Sequence, residues 1–136
     1  MTTLNITSNI VITGGPALLF KSTIDTEAYD FLDLVIKSGD VDVQADLQPG
    51  GAVQLLAIST DWQSDPAAPK GKLSFRVKKD AGAPVFKLDD PVLFAGSTLA
   101  ALGADEPKSL FLSNSTADPA KRDAKVRILV AREATP

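Results

Sequence analysis

The sequence predicts an all-β fold, an antiparallel β-sandwich of about nine strands with at most one short helix. Several segments alternate apolar and polar residues with period two, which is typical of strands that turn one face to a core and the other to water. Other apolar runs are short and end at Gly, Pro, Asp or Ser, as strands between turns do. We expect a single β-sandwich domain over residues 1–136, with jelly-roll crossings as one form of it and a closed barrel as the alternative.

The alternating pattern is clearest in three segments, and each is expected to be a strand with one buried face. The segments are residues 40–46, with Val41, Val43 and Ala45 inward, residues 73–78, and residues 125–130, with Val126, Ile128 and Val130 inward.

A second group of segments is apolar on both faces, and their short lengths favour strands over helices. These are residues 17–20, 29–36, 53–58, 92–94 and 110–112. A strand of this kind needs cover on both faces, either from the sandwich core plus a loop or from another subunit. Subunit contact is therefore one expected use of these strands.

Turns and one short helix complete the pattern. Thr13-Gly14-Gly15-Pro16 and five similar clusters separate the strands, because Gly supplies positive φ and Pro fixes φ near −65°. Residues 97–103 form the best helical candidate, with Ser97 as amino-terminal cap and Gly103 at the exit. Residues 61–72, with two prolines, are expected to form an extended surface loop.

Composition excludes several classes of function. The chain has no histidine and no cysteine, so it lacks the side chains that most often act as nucleophile, base or soft-metal ligand. The net charge of −3 repels polyanions, and we expect no nucleic-acid partner. Neither a signal-peptide pattern at residues 1–9 nor an apolar segment of about 20 residues occurs. These absences predict no membrane partner and favour cytoplasmic synthesis and assembly.

Carboxylates are the remaining catalytic groups, and they cluster at residues 25–33, 61–65 and 89–90. A pair held at the right distance could hydrolyse a glycosidic bond. Acidic residues beside turns more often serve as caps or solvated surface. The run of oxygen ligands in residues 40–46 starts like a calcium loop but has Ala45 and Gly51 where Gly and Glu are required. We expect no cofactor, no metal and no enzyme activity.

One ligand-binding site is a candidate, at Trp62 with Asp61 and Asp65 beside it. An exposed Trp stacks on sugars while neighbouring polar groups bind hydroxyls, so this loop would suit a glycan or another protein. A Trp that plugs one end of the sandwich is the competing interpretation.

The function expected from these observations is non-enzymatic and structural. Without ordinary catalytic groups, and with several strands apolar on both faces, the chain is predicted to self-associate into a symmetric oligomer, lattice or particle, as an assembly subunit of the phage-like or surface-lattice type. The alternatives are a glycan- or protein-binding module that uses the Trp62 loop, and a small carboxylate-dependent hydrolase.

Overall fold

A computed structural model describes residues 2–26, 28–47, 53–62, 72–78, 82–88, 91–102, 109–116 and 123–133. These residues form ten strands and one 3-10 helix, at Gly96–Leu102. The strands are β1 (Thr2–Val11), β2 (Ala17–Thr26), β3 (Ala28–Ile36), β4 (Val43–Asp46), β5 (Val53–Trp62), β6 (Leu73–Arg76), β7 (Phe86–Lys87), β8 (Val92–Ala95), β9 (Ser109–Asn114) and β10 (Ala124–Arg132).

The last eight strands build the sandwich, and their pairing is nested. β3 pairs with β10, β4 with β9, β5 with β8 and β6 with β7, all antiparallel. Further pairing of β10 with β5 and of β6 with β9 produces two four-stranded sheets, β3-β10-β5-β8 and β4-β9-β6-β7. This order is that of a long antiparallel hairpin rolled into two sheets, the jelly roll. The predicted all-β sandwich, in its jelly-roll form, is confirmed.

The core lies between the inner faces of the two sheets. Val126, Ile128 and Val130 of β10 are fully buried, as the period-two pattern predicts. In the other sheet, Phe75 of β6 stacks on its cross-strand partner Phe86 of β7, with ring centroids 5.0 Å apart. Phe94 of β8 meets Phe86 edge-on at 5.4 Å. Because Phe94 belongs to the opposite sheet, this aromatic cluster ties the two layers together.

A buried polar side chain also connects the sheets. Asn114 at the end of β9 is completely buried, and its Nδ2 donates to the carbonyl oxygen of Ile36 at 2.9 Å. Its Oδ1 accepts from the backbone N and the Oγ1 of Thr116, at 3.1 and 2.9 Å. Satisfied hydrogen bonds allow an amide to be buried at little cost, whereas unsatisfied ones are expensive. Asn114 therefore fixes the end of β3 against the end of β9.

The prediction that Val41 points into the core is wrong. Val41 is 75% exposed, and the strand begins only at Val43. The reason is Asp42, whose φ of 51° lies in the left-handed region that Asp tolerates better than most residues. Both carboxylate oxygens of Asp42 accept from Arg76 Nη2, at 3.1 and 2.9 Å. The kink breaks the alternation before Val43, although the predicted burial of Ala45 is confirmed.

The predicted short helix is present as a 3-10 segment that starts at Gly96, one residue before the expected cap Ser97. Thr98 ties the start of this segment to β8, because its Oγ1 accepts from the backbone N of Ala95 at 2.8 Å. Gly103 lies outside the described residues.

Candidate functional site: the β1–β2 hairpin and the sheet beneath it

The first two strands form a long hairpin. β1 and β2 pair in continuous register from Thr2 opposite Thr26 to Val11 opposite Ala17. Ten residues of antiparallel strand span about 34 Å. Within the described residues, β1 and β2 pair only with each other. The hairpin is therefore a separate arm attached to the sandwich.

The tip of the arm is a tight turn that its sequence specifies. The backbone N of Gly15 donates to the carbonyl oxygen of Ile12 at 2.9 Å. Gly14 takes a φ of 74°, where a side chain would be strained even though the space around it is open. Glycine is the residue that adopts this conformation without steric cost.

The base of the arm is held on the sandwich. Thr26 is buried, and its Oγ1 donates to the carbonyl oxygen of Arg132 at 2.7 Å. Gln54 Nε2 donates to the carbonyl oxygen of Asp25 at 3.3 Å. These contacts fasten the carboxyl end of β2 to β5 and β10 of the first sheet.

The hairpin has two chemically different faces. Cross-strand partners share a face, so Leu4 and Ile24 lie on one side, which we call the inner face, and Thr3 and Asp25 lie on the other. At the base the inner face is apolar and half-buried, whereas Thr3 Oγ1 donates to Asp25 Oδ1 at 3.0 Å on the exposed face. The inner face is therefore the side that packs on the sandwich.

The outer half of the arm is apolar and open to water. All residues from Thr7 to Lys21 are exposed. Following the register outward, the inner face continues as Phe20 opposite Ser8 and Leu18 opposite Ile10. Six large apolar side chains in this half are each at least 50% exposed; they are Ile10, Val11, Ile12, Leu18, Leu19 and Phe20. We call these six residues the arm tip.

The outer face of the β3-β10-β5-β8 sheet is divided into a polar half and an apolar half. In the polar half, Arg127 Nε lies 3.2 Å from Asp33 Oδ1, and Ser59 is the next residue in that row. In the apolar half, two rows of paired residues cross the sheet, Phe31–Leu129–Ala57–Leu93 and Tyr29–Ala131–Leu55–Ala95.

The arm base lies over the middle of the second of these rows, where Ile6 and Leu55 line one groove, whereas Tyr29 at the edge of the row is 54% exposed. Leu55 and Ala131 are 2% and 0% exposed although they point away from the sandwich core. The sequence predicts that residues 53–58 need cover on both faces, and part of that cover comes from within the same chain.

The first row remains open. It forms the floor of a groove of about 550 Å³, bounded by Asn5 to Ser8 of β1 on one side and by Leu93 on the other. Phe31 and Leu93, at the two ends of the row, are 56% and 48% exposed. Among the described residues that line the groove, Arg127 is the one charged side chain. We call the Phe31–Leu129–Ala57–Leu93 row and its groove the open row.

The predicted ligand site lies elsewhere, in the polar half of the same sheet. Asp61 and Trp62 end β5, opposite Lys125 and Ala124 of β10. Asp61 is exposed and lines a small cavity of about 210 Å³ with Ser59, Thr60 and two basic residues of β10, Lys125 and Arg127. Asp65 lies outside the described residues, so the structure brings together only part of the predicted site.

Sequence reasoning missed the arm as a unit. The apolar run at residues 17–20 and the turn at 13–16 are both recognised as signals, but Thr2–Val11 is not assigned as a strand. A signal was present: Ile10-Val11-Ile12 and Ala17-Leu18-Leu19-Phe20 flank a Gly-Gly-Pro turn, which is the sequence pattern of a hairpin. Of the ten strands among the described residues, the two that match none of the predicted segments are β1 and the two-residue β7.

Two further findings concern the described part of the chain alone. It has no group of three or more acidic residues placed to hold a metal ion, and no helix in it is long and apolar enough to cross a membrane. No protein-family model, no curated protein and no solved structure matches this chain.

Proposed function

We propose that this chain is a non-enzymatic structural protein that self-associates into a symmetric oligomer, lattice or particle, and that the arm provides the contact. The observation that carries the proposal is the arm tip, in which six large apolar side chains face water on a two-stranded hairpin. A hairpin of two strands is marginally stable at best in water unless another layer packs on it.

The exposed area supports association. The arm tip presents its half-exposed apolar side chains on both faces of the hairpin, with Ile10, Leu18 and Phe20 on the inner face. Apolar groups exposed together, as these are on each face, commonly mark interaction surfaces. Covering the arm tip removes this area from water.

The charge distribution supports the same conclusion. No residue from Thr2 to Phe20 is charged, and Lys21 is the first charged side chain in the sequence. A contact made by the arm tip therefore desolvates no charge of the tip itself, and burying an unpaired charge would be the largest cost of covering a surface. The attraction is hydrophobic and independent of electrostatic steering.

The fold is compatible with assembly but does not decide it. Jelly rolls occur as viral capsid subunits and also as lectin domains, and a fold hosts many unrelated functions. The alternative of a glycan- or protein-binding module has one observation in its favour: Asp61, Ser59 and Lys125 place acceptors and donors around a small cavity at the end of the strand that carries Trp62.

Two experiments test these functions. Sedimentation velocity or size-exclusion chromatography with light scattering, from low to high micromolar protein, should show concentration-dependent oligomers; a strict monomer throughout would refute self-assembly. For the alternative, Trp62→Ala should abolish binding on a glycan array without changing assembly. Unchanged glycan binding, or none by the unmodified protein, counts against a glycan site at Trp62.

A further inference from the structure

We infer that the receiving surface for the arm is the open row of a second copy of this chain, so that the arm of one copy packs on the outer sheet face of the next. This inference rests on the proposed self-association and names both halves of its contact. It predicts an interface made of two different patches.

The first argument is continuity with packing that already exists within one copy. The inner face of the arm base, at Leu4 and Ile24, is half-buried where it meets the apolar half of the outer sheet face. The same inner face continues into Ile10, Leu18 and Phe20, which are each at least 50% exposed in a single copy. A surface of the same composition as the one that the base covers is the natural partner for the outer half.

The second argument is that the open row is that surface. It lies directly beside the row that the arm base covers, on the same four strands. Its exposed members are apolar, with Phe31 at one edge strand and Leu93 at the other. A two-stranded arm stacked on a four-stranded sheet is ordinary face-to-face sheet packing, with about 10 Å between the layers.

The third argument is area. Packing the inner face of one arm tip on the open row removes from water the exposed halves of five large apolar side chains: Ile10, Leu18 and Phe20 of the arm, and Phe31 and Leu93 of the row. A single contact of this kind is smaller than the about 1,200 Å² of a specific interface, so a reciprocal exchange, in which two copies each give and receive an arm, places two contacts in one interface. Contacts between unlike patches generate closed assemblies when the rotation closes and open chains when it does not.

The test is a complementation experiment with two double variants. Leu18→Lys/Phe20→Lys places two charges on the inner face of the arm tip and leaves the open row unchanged. Phe31→Lys/Leu93→Lys places two charges in the open row and leaves the arm unchanged. All four positions are about half exposed, so both variants should fold, as circular dichroism and thermal unfolding will verify. If the second variant unfolds, Leu93→Lys alone replaces it.

Each variant alone should be monomeric at concentrations where the unmodified protein assembles. An equimolar mixture should restore association as a 1:1 complex, because one component supplies an intact arm and the other an intact open row. Val41→Lys/Val85→Lys, which adds the same charge at exposed valines just before β4 and β7 of the other sheet, should assemble like the unmodified protein.

The outcomes separate this inference from the proposed function. A monomeric unmodified protein refutes self-association, and the inference fails with it. An unmodified protein that assembles, together with an open-row variant that assembles equally well, leaves self-association standing but overturns the open row as the receiver. Two folded monomeric variants that do not combine also overturn it, since unlike patches must complement each other.

Because the chain has no cysteine, single introduced cysteines give a second readout. Leu18→Cys protein mixed with Leu93→Cys protein should form a mixed disulfide dimer under mild oxidation, in preference to a mixture of Leu18→Cys with Val41→Cys. Equal yields from the two mixtures would contradict the proposed contact.

Discussion

Charging the inner face of the arm tip should abolish assembly while leaving the sandwich intact. Leu18 and Phe20 are 54% and 50% exposed. Full burial of such a side chain contributes about 1.5 to 3 kcal/mol, so covering the exposed halves contributes about 2 kcal/mol for the pair. Replacing both with Lys removes this contribution and places two ammonium groups at an apolar contact, which costs about 2 kcal/mol more. The sum of about 4 kcal/mol corresponds to an association constant about 1,000-fold smaller.

Sedimentation velocity over a concentration series measures this change directly, and thermal unfolding followed by circular dichroism reports on the sandwich. Surface substitutions usually change the free energy of unfolding by about 0.5 kcal/mol or less, so Tm should shift by only a few degrees. The Val41→Lys/Val85→Lys variant controls for added charge. The reasoning fails if Leu18→Lys/Phe20→Lys lowers the association constant less than about tenfold, or if the control lowers it equally.

Three further predictions follow from other parts of the structure. Gly14→Val should strain the arm turn by about 1 to 2 kcal/mol, which should speed amide hydrogen exchange in the arm and weaken assembly; Gly82→Val, at an exposed glycine without positive φ, should do neither, and equal effects would contradict the argument. Asn114→Ala removes the amide that accepts from Thr116 and donates to the carbonyl oxygen of Ile36, so urea denaturation should show a loss of about 2 to 4 kcal/mol in the free energy of unfolding; a loss below 1 kcal/mol refutes the role assigned to this amide. Assembly through the uncharged arm tip should persist from 50 to 500 mM NaCl and strengthen in sodium sulfate, whereas dissociation by NaCl would indicate an ionic contact.

The sandwich could be predicted from the sequence wherever side-chain alternation and backbone conformation agree. In β10, Val126, Ile128 and Val130 alternate with polar residues and are all fully buried. In residues 40–46 apolar and polar residues alternate equally well, yet Val41 faces water because Asp42 adopts a left-handed conformation. That conformation depends on contacts with Arg76 and Ser113, which are distant in sequence and invisible to a local pattern.

The candidate site was predictable only in part, for a similar reason. Residues 17–20 and 53–58 are recognisable as apolar on both faces, and the need for cover follows from the sequence. The element that covers them is set by the pairing of Thr2–Val11 and by the place where the arm crosses the sheet. Both are features of the tertiary structure, which a local sequence pattern does not contain. The choice of Trp62 as a binding residue rested on its chemistry alone, and binding there stays a prediction.

The composition of the arm bears on whether it is open or covered in the working state of the protein. An exposed hairpin offers a free strand edge on both sides, and proteins usually protect such edges with charged side chains, especially Lys. Residues 2–20 carry no charge. Proline also protects a strand edge, but Pro16 lies in the turn at the tip and not along the strands. A segment with high β-propensity and no charge is an aggregation hazard while it stays exposed. Burial against a defined partner removes the hazard without a change of sequence, and this is the physical reason for seeking that partner in a second copy, which is always present at the concentration of the chain itself.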